Sequence, residues 1–241
     1  MRTRAQRWRS LSLAAIVASL ALGVPLLLAG CAVDDRGPTA AVTGGEAGQA
    51  AEPPLPPGSW KTVHRSRQDI PHGVAQRAIW ISRDQDVIDR AVLEFAMQLG
   101  RRWEFQPRQS CASADYFSQV TGVPTVDTGE CWHVRAVNLG TAGDPHPVNL
   151  ILAEFARSHD LYLPAVMVGV RFIRYHEGRL LQLDYLWNAD LLLPPPPDRV
   201  WTPADWSNDA VAADPAKRTI MRTLQRWGQD WEPKVAATLP F

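Results

Sequence analysis

Residues 165–187, AVMVGVRFIRYHEGRLLQLDYLW, constrain the fold more than any other part of the chain. A turn on His176-Glu177-Gly178-Arg179 sets Tyr175 opposite Leu180. Phe172 then faces Leu183, Val170 faces Tyr185 and Val168 faces Trp187, all on one side. On the other side Arg171 lies opposite Asp184 and Ile173 opposite Gln182. A single register that yields an unbroken apolar face and an opposite-charge pair predicts a β-hairpin, because slipping by one residue would move every side chain to the wrong face. The Arg171–Asp184 pair is read as a solvated cross-strand contact contributing less than about 1 kcal/mol. Its functional alternative is to line a binding surface.

Helical spacing is expected on either side of this hairpin. Residues 76–81 suit a short extended entry. Ser82 and Gln85 form a capping-box signature, and Val87, Ile88, Ala91, Val92, Phe95, Ala96 and Leu99 then recur on one helical stripe, predicting a helix over 83–99 that ends at Gly100. Pro147 suits a first helical turn, and Val148, Ile151, Leu152 and Phe155 place a second helix at 147–158. Asp214-Pro215 supplies a cap and first position for a third over 215–231, with Ile220, Leu224, Trp227 and Trp231 on one face. Pro194–Pro197 read as a stiff extended spacer. Helices and a hairpin without regular strand–helix alternation imply an α+β fold: one domain over 60–241, with the hairpin packed against two to three amphipathic helices.

The beginning of the chain carries an address. Residues 1–10 hold four arginines and no acid, and residues 11–30 hold no charge at all. This is a basic n-region followed by an apolar h-region. Leu28-Ala29-Gly30-Cys31 resembles the lipobox of bacterial lipoproteins. The resemblance implies cleavage before Cys31, acylation (including palmitate) of that residue, and attachment to a membrane through it. Ala32 after the cysteine implies the periplasmic face of the outer membrane in a Gram-negative cell. An uncleaved anchor is the alternative, since twenty apolar residues also span a bilayer; either way the domain lies outside the cytoplasm. Residues 31–59, rich in Ala, Gly and Pro and without aromatics, read as the lipidated cysteine and a disordered tether.

Without residues 1–30, 21 basic residues face 25 acidic ones, a net charge of −4. Such a chain is poorly suited to holding nucleic acid by charge. With Cys31 lipidated, Cys111 and Cys131 have only each other as intramolecular partners, and an oxidising envelope makes a disulfide the expectation. The rival is a Cys131–His133 nucleophile pair on one strand face. The six histidines show no HExxH, HxH or i,i+4 pairing, so no metal site is assigned. No GxSxG elbow and no phosphate-binding glycine loop appears, so neither catalytic residues nor a cofactor are assigned. Tryptophan is the one enrichment, ten in the chain. Trp201 and Trp206, in a Pro- and Asp-containing loop without periodic neighbours, are the expected surface anchors, with Arg171 and Asp184 as further candidates for an interface.

Anchor, tether and tryptophans point to a non-catalytic envelope lipoprotein that binds a protein partner, as an inhibitor or immunity protein or as an accessory of a secretion or envelope-assembly machine. The alternatives are an envelope hydrolase with a dispersed His and acidic site, or a peptidoglycan-binding module.

Overall fold

A computed structural model describes residues 52–100, 111, 116–121, 125, 127–139 and 147–238. Seven strands form one antiparallel sheet: β1 (Lys61–Ile70), β2 (Gly73–Asp84), β3 (Val87–Leu99), β4 (Phe117–Thr121), β5 (Thr128–Asn138), β6 (Val166–His176) and β7 (Arg179–Asn188). Their spatial order is β1-β2-β3-β7-β6-β5-β4. Four helices are described, α1 (Pro147–Ser158), α2 (Ala189–Leu192), α3 (Asn208–Ala213) and α4 (Pro215–Thr238), together with a 3₁₀ turn at Pro203–Trp206. The fold is α+β.

β6 and β7 pair with Tyr175 opposite Leu180, Phe172 opposite Leu183 and Arg171 opposite Asp184. Glu177 and Gly178 both take positive φ, 44° and 82°. That is the conformation a two-residue hairpin turn needs, and glycine adopts it without a Cβ penalty. The hairpin is the middle of the sheet rather than a free-standing ribbon: β3 flanks β7 and β5 flanks β6.

The helix expected over 83–99 is instead the end of β2, a hairpin turn at Gln85-Asp86 and β3, and the supposed cap at Ser82 lies within β2. Asp84 pairs with Val87, and Gln85 sits at φ 54°. β3 is buried on both sides. Val92 belongs to the cluster on the front of the sheet, while Ile88, Ala91 and Leu93 belong to the cluster on the back. A strand covered on both faces carries consecutive apolar residues, and paired positions such as Ala91-Val92 and Phe95-Ala96 then mimic a helical stripe.

α4 lies across the front and packs Met221, Leu224, Trp231 and Val235 against Trp132, Val168, Val170, Phe172, Leu183 and Tyr185. It starts at Pro215 as expected, with Asp214 Oδ1 accepting from the Ala216 amide at 2.8 Å. It runs past residue 231 and through Pro233 to Thr238, and Arg174 Nη1 donates to the Ala236 carbonyl in its last turns at 3.1 Å. The helix comes close to the sheet at Gly228, where an added Cβ would lie 2.7 Å from the Trp132 ring. α1 covers one end of the back with Val148, Leu152 and Ala156 over Ile79, Ile81, Val137, Met167 and Leu186. At the hairpin end of the back, Cys111 and Cys131 are joined in a disulfide with Cα atoms 5.9 Å apart, packed with Ile173 and Tyr175.

Candidate functional site

Trp201 and Trp206 are not exposed anchors: 7% and 3% of their surface is accessible. Their rings meet edge to face at 6.0 Å. The Lys217 ammonium lies 4.4 Å from the centre of the Trp201 ring and donates to the Asp205 carbonyl at 2.6 Å. Trp201 Nε1 donates to the Leu193 carbonyl at 2.7 Å. Both indoles therefore face inward and brace the connection between α2 and α3. Nothing in the loop itself signals this, because Lys217, whose ammonium lies over both rings, comes from α4, further along the chain.

The braced loop turns other side chains outward. Leu191 is 58% exposed, Leu192 40% and Val200 64%, and Tyr162 is also exposed. Pro194–Pro197 lie between these leucines and the valine. Tyr162 Oη donates a short hydrogen bond to Asp190. Partial burial and that carboxylate push the phenol up to about 12. The loop leaves the end of the sheet where Asn138 pairs with Val166 and Met167 with Asn188. A cleft of about 470 Å³ opens at the same end, lined by Tyr116, Asn138, Val166, Trp206, Asn208 and Asp209 among others. The buried Trp206 Nε1 has no hydrogen-bond partner among the described residues.

Arg171 and Asp184 face each other as expected, but in the interior. Arg171 Nε donates to Asp184 Oδ1 at 2.6 Å and Nη2 to Oδ2 at 2.9 Å; Gln182 Nε2 adds a third bond at 3.1 Å. Burial alone would raise the Asp184 carboxyl. The Arg171 charge and hydrogen bonds, with Arg135 and His133 nearby, outweigh it and hold the group below its usual range. The pair is thus a buried, bidentate ion pair rather than a solvated contact, and it presents no exposed binding surface. The sequence register showed who faces whom but not how deeply the neighbouring strands bury them. Cys131, being in a disulfide, is no thiolate nucleophile for His133.

The sequence places the boundary of the domain at Trp60, yet the preceding residues pack onto it. Pro53 and Pro56 are buried, and Leu55 contacts the front cluster. Tyr185 Oη donates to the Pro54 carbonyl at 3.0 Å, Trp60 Nε1 to Pro56 O at 2.6 Å and Arg90 Nη1 to Pro57 O at 3.0 Å. Trp80 Nε1 and Arg65 Nη2 both donate to Glu52 Oε1, at 3.0 and 3.2 Å. Glu94 is buried on the same face. Burial pushes its carboxyl up to about 7, with Arg65 opposing and Glu52 assisting the shift. The signals for this strap were the Pro-Pro-Leu-Pro-Pro run just before a tryptophan, and a lone acid inside the apolar stretch 91–96.

Among the described residues no three His, Cys, Asp or Glu side chains gather as metal ligands, and no helix is long and apolar enough to cross a membrane. Cys31 and the leader lie outside the described residues. No protein-family model matches the chain, and neither the curated proteins nor the solved structures yield a match.

Proposed function

We propose that the chain is an envelope-anchored, non-catalytic lipoprotein whose domain binds a protein partner through the loop at 189–200. The observation that carries this reading is the outward display of Leu191, Leu192 and Val200 on a loop fixed from behind by Trp201, Trp206 and Lys217. Exposed apolar side chains on a braced support desolvate on contact at little cost in ordering. The lipobox resemblance at Leu28–Cys31 supports the envelope location. The partner is either a toxic enzyme to be inhibited or a component of a secretion or envelope-assembly machine.

A photo-reactive side chain at position 191, in the lipidated protein in its native envelope, is expected to trap one discrete protein. The same group at exposed Arg83, near the end of β2, is the control. Equal or absent cross-linking at the two positions refutes the reading. Peptidoglycan binding is the second reading, favoured by the mixed aromatic, amide and carboxylate lining of the cleft. Sacculus co-sedimentation that falls with Asn208→Ala is its signature.

A further inference from the structure

We propose that the groove across the front of the sheet is a docking site for an extended proline-rich segment, which the chain's own Glu52–Gly58 strap occupies in cis. The strap reads Glu-Pro-Pro-Leu-Pro-Pro-Gly and has no helix or strand structure of its own. Proline has no backbone N–H, so such a segment offers a partner mainly its carbonyls and ring edges, and its stiffness keeps the ordering cost low. The groove meets these features directly. Three carbonyls, of Pro54, Pro56 and Pro57, each accept a hydrogen bond from a side chain: the Tyr185 hydroxyl, the Trp60 indole and the Arg90 guanidinium. Two proline rings are buried, and Leu55 enters the apolar cluster between them. Trp80 and Arg65 read the carboxylate of Glu52 at one end. Aromatic and cationic donors spaced along a carbonyl ladder, with a pocket for one aliphatic side chain, are the means by which proteins recognise polyproline ligands.

The strap is joined covalently to β1 through Ser59 and Trp60, so its occupancy is intramolecular. A short connection gives an effective concentration in the millimolar range. A free segment of the same sequence therefore competes against its tethered copy and is suppressed by the ratio of that concentration to its own dissociation constant, about a hundredfold for an affinity of about 10 μM. The surface involves different residues from the loop at 189–200, and either proposal can fail without the other.

The test uses the full chain carrying Leu55→Asp and Pro56→Ala, which spoil the strap and leave the groove intact. The probe is a fluorescent peptide of sequence EPPLPPG, followed by anisotropy. The double variant is expected to bind it about a hundredfold more tightly than the unaltered chain. Adding Tyr185→Phe to the double variant should weaken that binding about five- to tenfold, the loss of one hydrogen bond. A double variant with unchanged circular dichroism that binds no better than the unaltered chain overturns the proposal, as does binding indifferent to Tyr185→Phe. Should the double variant not fold, the unaltered chain is titrated with unlabelled peptide to several millimolar while the Leu55 methyl signals are followed by NMR. Movement of these signals to free-chain positions supports exchange at the groove. Their staying fixed refutes it.

Discussion

Glu94→Gln is expected to stabilise the domain at pH 8 by about 3 kcal/mol and to leave it nearly unchanged at pH 4. Glu94 lies buried, and its carboxyl is pushed from an ordinary 4.5 up to about 7 by loss of water, despite Arg65. The folded state therefore holds the proton more tightly than the unfolded state. Below pH 4.5 both states are protonated and the group costs nothing. Between 4.5 and 7 the unfolded carboxyl ionises while the folded one resists, so stability falls with rising pH. Above 7 the penalty is complete. A shift of about 2.5 units at 1.36 kcal/mol per unit gives roughly 3.4 kcal/mol. Glutamine copies the shape of the neutral acid at every pH and removes the penalty. Urea denaturation followed by tryptophan fluorescence at pH 4, 5.5, 7 and 8.5, for both proteins, reads the difference directly. It should climb by about 1.4 kcal/mol per pH unit through the middle of the range and flatten above 7. A difference independent of pH, or a variant less stable at pH 8 than the original, refutes the account. The latter would mean that ionised Glu94 gains more from Arg65 than it loses to burial.

Removing one partner of the buried ion pair, as in Asp184→Ala, is expected to cost about 3–5 kcal/mol in chemical denaturation because Arg171 is left uncompensated. Asp184 titrates below its ordinary range, so its contribution is present above pH 4 and is lost as pH falls through the depressed value. An acid limb in the stability profile that disappears with Asp184→Asn checks the sign. Reducing Cys111–Cys131 should lower stability by about 3 kcal/mol, from the loop-closure entropy of a 20-residue separation. Thermal melts with and without reductant measure it, and the Cys111→Ser/Cys131→Ser variant should show no response to reductant. Gly228→Val should cost about 1–3 kcal/mol by driving α4 away from Trp132, seen as a lower melting temperature and altered near-ultraviolet circular dichroism.

Legibility followed how much of a residue's environment lies near it in the chain. The β6–β7 register could be read because its two strands are adjacent in sequence and each face imposes its own test. α1 could be read from Pro147 and one apolar stripe, and α4 from its Asp214-Pro215 start. β3 could not. Its neighbour β2 is adjacent in sequence, but burial on both faces, completed by the distant β7, erased the alternation that marks a strand. Trp201 and Trp206 were misplaced for a related reason, since a loop tryptophan becomes core only when a remote helix arrives to cover it. The strap reads as tether in the sequence because proline, alanine and glycine look solvated until a row of donors such as Tyr185, Trp60 and Arg90 meets its carbonyls. As for the exposed loop, the leucines flanking Pro194 were visible, but which apolar residues point outward depends on which tryptophans point in.

The strand order also has a consequence for assembly. β1-β2-β3 and β7-β6-β5-β4 each pair strands that are neighbours in sequence, whereas the β3–β7 seam joins segments whose ends lie 80 residues apart, Leu99 and Arg179. In the order of synthesis the first meander is complete long before its partner exists, by roughly 4–16 s at ordinary elongation rates. Through that interval β3 presents an open hydrogen-bonding edge together with Val92, Leu93 and Phe95, which are the features that invite pairing with the wrong chain. Closing the seam is the step with the largest loop to pay for. Substitutions across it, at Val92 or Tyr185, should slow folding, while those within the local hairpins should chiefly hasten unfolding.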